Sequence, residues 1–96
     1  MESRICYFLA VCRYGGFTAA ARACGVRHST VSRGVRQFER AVGGKLFERR
    51  RPLRLTALAL RLRPMLEELH GLSVRIDRAL ETETSVANAG DGEAAD

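Results

Sequence analysis

The chain has no tryptophan, only two prolines, and no apolar run near the ~20 residues a membrane-spanning helix needs. No secretory leader is evident, so a cytoplasmic, nucleoid-associated protein is expected, with no membrane partner. Its three cysteines, Cys6, Cys12 and Cys24, are odd in number and lack CxxC spacing. That spacing does not suggest a disulfide framework or a thiolate zinc motif. They read as small core residues in a reducing compartment, with a redox or metal role as the alternative. His28 and His70 are far apart and suggest no metal motif. The sequence shows no nucleophile–base pair, paired carboxylates or phosphate-cradling glycine loop. No enzyme, metal or cofactor is therefore expected.

Acid is scarce in the first half and base is missing from the end. Between Ser3 and Val42 the one acid is Glu39, and no Lys or Arg follows Arg78. Residues 1–78 hold all 16 Lys and Arg against six acids, a net of +10, while residues 79–96 carry five acids, a net of −5. A basic body with an acidic tail points to a polyanionic partner for the body. Fifteen of the 16 cations are Arg. Arginine forks suit phosphate and guanine edges, but a genome rich in Arg codons would give the same excess, so placement matters more than number. At 96 residues the chain is one small domain, and a core of this size favours oligomerisation or a partner.

Residues 17–39, FTAAARACGVRHSTVSRGVRQFE, read as two helices around a tight turn. Thr18 is placed to cap a short helix over 19–24, and Gly25 marks the turn. The next helix begins near His28 or Ser29. Val31, Val35, Phe38 and Val42 recur on it at helical spacing, and Ser29, Arg33, Arg36, Gln37 and Arg40 fall opposite. An outer face with cations, hydrogen-bonding groups and no carboxylate suits a helix that lies in a DNA groove. Before this pair, residues 3–14 carry Ile5, Phe8, Leu9 and Cys12 at helical spacing and stop at Gly15 and Gly16. After it come Gly43 and Gly44, a short strand at Leu46 and Phe47, a tip of Arg49, Arg50, Arg51 and Pro52, and a return strand over 53–55. Gly34 sits mid-helix at a cost of roughly 1 kcal/mol relative to Ala. It reads either as a site of close backbone approach or as a weakness.

Four segments in this order, YFLAV, GGFTAAARACGV, STVSRGVRQFE and GKLFERRRPLRLT, resemble the N-terminal winged helix-turn-helix domain of LysR-type transcriptional regulators. The resemblance spans residues 7–56, and the family's linker helix extends it to about residue 81. It implies a mainly α fold of three helices and a two-stranded wing, followed by a long dimerisation helix. The expected divisions are 1–56 for DNA binding, 57–81 for the linker helix and 82–96 for a disordered acidic tail. The family's large effector-binding domain has no counterpart in these residues. Carried over by position, the expected DNA contacts are Thr18, Arg27, His28, Ser29, Thr30, Ser32, Arg33 and Arg36, with Arg50, Arg51 and Arg54 on the wing. Arg27 stands where the family commonly has Ser, and His28 where Gln is usual. A His cannot make the bidentate amide contact that Gln makes to adenine, so the preferred site is left open. Thr18 is either cap and phosphate contact or cap alone.

Thr56 is placed to cap the long helix. Leu62, Met65, Leu69, Leu72, Ile76 and Ala79 follow 3-4 spacing, an a/d seam that needs a partner surface. The resemblance makes that surface a second copy, with Leu62, Met65, Leu69, Leu72 and Ile76 at the dimer interface. The alternative is a helix folded back on its own domain. Pro64 inside it predicts a kink.

The function these signals favour is sequence-specific regulation of transcription by a dimer bound to an interrupted dyad in double-stranded DNA. The competing readings are an interaction module that heterodimerises with larger relatives, or an inactive remnant. All share the same fold signals.

Overall fold

The computed structural model describes residues 2–91, with side-chain surroundings over 3–82. The first helix, α1 (Glu2–Tyr14), buries Ile5, Phe8 and Val11 on one stripe, with Leu9 and Cys12 half-buried beside it. Gly15 ends it in a left-handed conformation (φ 79°), its N–H donating to the Val11 carbonyl at 2.9 Å. The second helix, α2 (Phe17–Cys24), starts two residues earlier than the Thr18 cap predicts. The cap position belongs to Gly16, which is fully extended, and no side chain caps this end. Thr18 therefore lies inside the first turn, exposed, because the Gly15–Gly16 pair lets the chain reverse two residues sooner.

Gly25 (φ 69°) closes α2, and α3 (His28–Val42) follows. The short turn lets Ala20 and Ala21 pack against Val31 and Val35, all buried. On α3 the predicted apolar stripe turns inward: Val31, Val35 and Phe38 are buried and Val42 packs at the edge. Gly34 is explained by α1. A methyl group there would sit 2.5 Å from Tyr7 Cδ2, so only glycine lets the Tyr7 ring lie on the α3 backbone.

The wing is a two-stranded antiparallel ladder of β1 (Phe47–Glu48) and β2 (Arg54–Leu55), with Phe47 opposite Leu55 and Glu48 opposite Arg54. Phe8 joins the helices to the wing, its ring 5.9 Å from Phe38 and 5.5 Å from Phe47. The last helix, α4 (Ala57–Asp91), opens with Thr56 as its cap. The Thr56 hydroxyl accepts from Ala59 N–H at 3.2 Å and donates to the Lys45 carbonyl at 2.7 Å. Thirty-five residues at ~1.5 Å each give about 52 Å, the long dimension of a 56 × 26 × 20 Å molecule.

Three expectations change on α4 and at the cysteines. Leu62 packs against the domain's own core, while Met65, Leu69, Leu72, Ile76 and Leu80 form the exposed stripe. The helix runs through Asp91 instead of ending near residue 81, so residues 82–91 are helical. That stretch has no proline, and extending an existing helix avoids the cost of a new nucleus. The rest of the expected tail, 92–96, lies outside the described residues. Cys24 is exposed, so it is not a core residue.

Candidate nucleic-acid interface

Two grooves meet at the start of α3. One runs along its outer side and is lined by His28, Ser29, Ser32, Arg33, Arg36, Gln37 and Arg40. The other lies between the α1–α2 corner and the wing, with Thr18, His28, Arg50 and Arg51 among its lining residues. His28 belongs to both. Of the predicted contacts, these grooves gather eight: Thr18, His28, Ser29, Ser32, Arg33, Arg36, Arg50 and Arg51. Arg27, Thr30 and Arg54 line neither. Arg27 occupies the cap position of α3 in extended conformation, Thr30 is half-buried, and Arg54 projects from β2, exposed.

The outer groove is cationic because the one acid of α3 faces away from it. Glu39 is 5% exposed. Its Oε2 accepts the Leu46 backbone N–H at 2.8 Å, and its Oε1 accepts from the Arg49 guanidinium at 3.3 Å. The Glu39 carbonyl also receives the N–H groups of Gly43 (2.9 Å) and Gly44 (3.0 Å). One residue thus terminates α3, sets the entry to β1 and neutralises its own charge.

Arg49 is correspondingly not a free tip residue. Its guanidinium carbon lies 4.9 Å from the Phe17 ring centroid, while Glu39 holds its other side. Phe17 in turn lies 6.0 Å from the His28 ring and 5.7 Å from Phe47. The sequence Glu39, Arg49, Phe17, His28 therefore links the wing to the first residue of α3. Among the described residues Arg50 pairs with Glu48, at 3.4 Å on the surface, and Arg51 is exposed. An exposed pair of that kind is worth about 0–1 kcal/mol, so Arg50 can exchange Glu48 for a phosphate at little cost. Sequence reasoning missed Glu39, Arg49 and Phe17. The available signal was charge: a lone acid three helical turns into a basic stretch needs a cation once it is buried.

Comparison with known proteins shows the family and the fold. The family described as bacterial regulatory helix-turn-helix protein, lysR family, matches residues 3–60. The chain belongs to the lysR family. A LysR family transcriptional regulator from Eggerthella lenta DSM 2243 is 34% identical, with 70% of this chain and 97% of that one covered and a TM-score of 0.66. VV2_1132, also a LysR family transcriptional regulator, is 30% identical over 82% of this chain, with a TM-score of 0.74. The match spans 29% of the length of VV2_1132. The CbnR DNA-binding domain, solved in complex with DNA, shares the fold at a TM-score of 0.77 and 24% identity, covering 88% of this chain and 98% of that one. The lysR-family chain thus has the winged-helix architecture of DNA-binding transcription regulators. Among the described residues no helix is long and apolar enough to cross a membrane.

Proposed function

We propose that this lysR-family chain regulates transcription as a dimer, each subunit placing α3 in the major groove of one half of an interrupted dyad. The observation that carries the reading is the outer face of α3. It presents His28, Ser29, Arg33, Arg36, Gln37 and Arg40, and its single carboxylate is buried and paired with Arg49. An exposed acid at that position would repel a phosphate on either side of the groove. Residues near the start of α3, His28, Ser29 and Arg33 above all, reach base edges in this docking, while Arg50 and Arg51 reach sugar–phosphate and fix the register. The CbnR DNA-binding domain, whose fold this chain shares, has been solved bound to DNA.

Dimerisation follows from α4. Met65, Leu69, Leu72 and Ile76 are each about half exposed, and Leu80 extends the row. At ~100° per residue the five fall within an arc of about 80°, a stripe that packs against the same stripe of a second copy. Selection of duplexes from a random pool by the purified chain tests the reading. A two-part site with equal half-sites, and a complex of two chains per duplex by sedimentation, are the expected results. A chain that binds no duplex alone, but joins a larger relative and removes it from DNA, would be an interaction module instead.

A further inference from the structure

Outside the DNA-facing side, the described residues gather reactive groups in one cleft, where α1 and the end of α2 meet α4. Cys6 on α1 and His70 on α4 are 64 positions apart in sequence, and the fold sets Sγ 3.6 Å from Nδ1. Both side chains are half-buried, and Cys24, exposed at the end of α2, lines the same cleft. The charged groups facing it are Arg13 from α1 and Arg63 and Glu67 from α4. Arg63 and Glu67 bind each other at 3.1 Å, and the His70 imidazole is a base in contact with the thiol.

We propose that Cys6 and His70 form a thiol–imidazole pair that is a site of mixed-disulfide formation with low-molecular-weight disulfides. With the ring proton on Nε2, Nδ1 accepts the Cys6 proton. The thiolate attacks one sulfur of the disulfide RS–SR, the new Sγ–S bond forms, and the old S–S bond breaks. The departing RS⁻ takes the proton from the imidazolium and leaves as RSH. Cys6 is oxidised, and the disulfide that supplied the oxidising equivalents is reduced.

The other two thiols serve as internal references. Cys12, also on α1, is pushed up to about 11, chiefly by burial, so it stays a protonated, poor nucleophile near neutrality. Cys24 is the freely accessible thiol. An added RS group does not fit between atoms 3.6 Å apart, so modification opens the α1–α4 contact at His70. The start of α4 is held by Thr56 and the buried Ala59. Displacement therefore falls on the turns that carry Leu69, Leu72 and Ile76. The step from there to weaker DNA binding rests on the dimer reading above; the modification itself does not.

The reduced 96-residue chain would be treated with glutathione disulfide, and the adduct at each cysteine followed by peptide mass mapping. Cys6 is expected to react faster than Cys24 despite its lower exposure, and Cys12 slowest. At pH 7, His70→Gln should slow Cys6 by ~10-fold or more and leave Cys24 unchanged. That difference should vanish above about pH 9.5, where a thiol ionises without a base. A His70 that merely shapes the cleft would change the Cys6 rate equally at both pH values, and that result overturns the proposal. So does Cys6 reacting more slowly than Cys24 in the unsubstituted chain, a comparison that stands even if His70→Gln fails to fold. Loss of DNA affinity on treatment, absent in Cys6→Ser, supports the coupling to α4. Full modification with unchanged affinity refutes that coupling alone.

Discussion

Glu39→Ala should be among the more damaging single changes available in this chain, although it removes an acid from a basic domain. Two partners lose their acceptor. The Leu46 N–H belongs to a residue with no exposed surface, so water cannot replace the carboxylate. Leaving such a donor unpaired costs about 1–3 kcal/mol. Arg49 is about one-third exposed and can rehydrate, so its lost pair adds only about 1 kcal/mol. The total is about 2–4 kcal/mol, which for a domain of this size lowers the melting temperature by roughly 10–25 °C. Glu39→Gln keeps an acceptor for Leu46 and loses only the charge, so it should cost about 1 kcal/mol. Thermal melts followed by far-ultraviolet circular dichroism, at one protein concentration, would measure both. An alanine variant melting within about 2 °C of the parent would show that Glu39 does not hold the wing to α3.

Two glycines should respond in opposite directions. Gly34→Ala puts a methyl group 2.5 Å from Tyr7 Cδ2, and overpacking of about 1–3 kcal/mol outweighs the helical gain. Gly71→Ala meets nothing within 4 Å in α4 and should stabilise by about 0.5–1 kcal/mol, both read from chemical denaturation. Leu69→Glu should leave the chain monomeric in sedimentation, since two carboxylates would be buried at one interface; an unchanged dimer removes the stripe from the account. Cys12 ionises near 9.0 when unfolded but near 11 when folded, so the unfolded state sheds its proton first. Its contribution is intact below pH 9 and is lost as pH rises towards 11. The difference in stability between the parent and Cys12→Ser should therefore shift against the parent across that window and stay flat below it.

The elements were legible because their signals are local. The apolar spacing of α1 and α3, the glycines at 15, 25 and 43 and the Thr56 cap each act within a few residues. What could not be read depends on pairs far apart in the chain. Gly34 is explained by Tyr7, 27 positions earlier. Glu39 is periodically ambiguous, lying next to Phe38, and its inward turn depends on Leu46 and Arg49. Thr18 is a favourable cap by type, but the two preceding glycines let the backbone start the helix sooner. Leu62 is a related case, since it packs against its own domain's core. Heptad spacing gives the direction of a stripe, not the point where a helix leaves its own domain.

The central claim is that the outer face of α3 chooses bases while the wing holds phosphate. It is tested most directly by a salt titration of affinity for a selected duplex and a scrambled one, with Arg33→Ala and Arg50→Ala beside the parent. Loss of the Arg33 contact should cost about 1–3 kcal/mol on the selected duplex and little on the scrambled one. Loss of the Arg50 contact should weaken both duplexes alike and lower the salt slope by about one. If Arg33→Ala instead weakens both duplexes equally, Arg33 is a phosphate clamp, and base choice on this face would have to rest on His28 and Ser29.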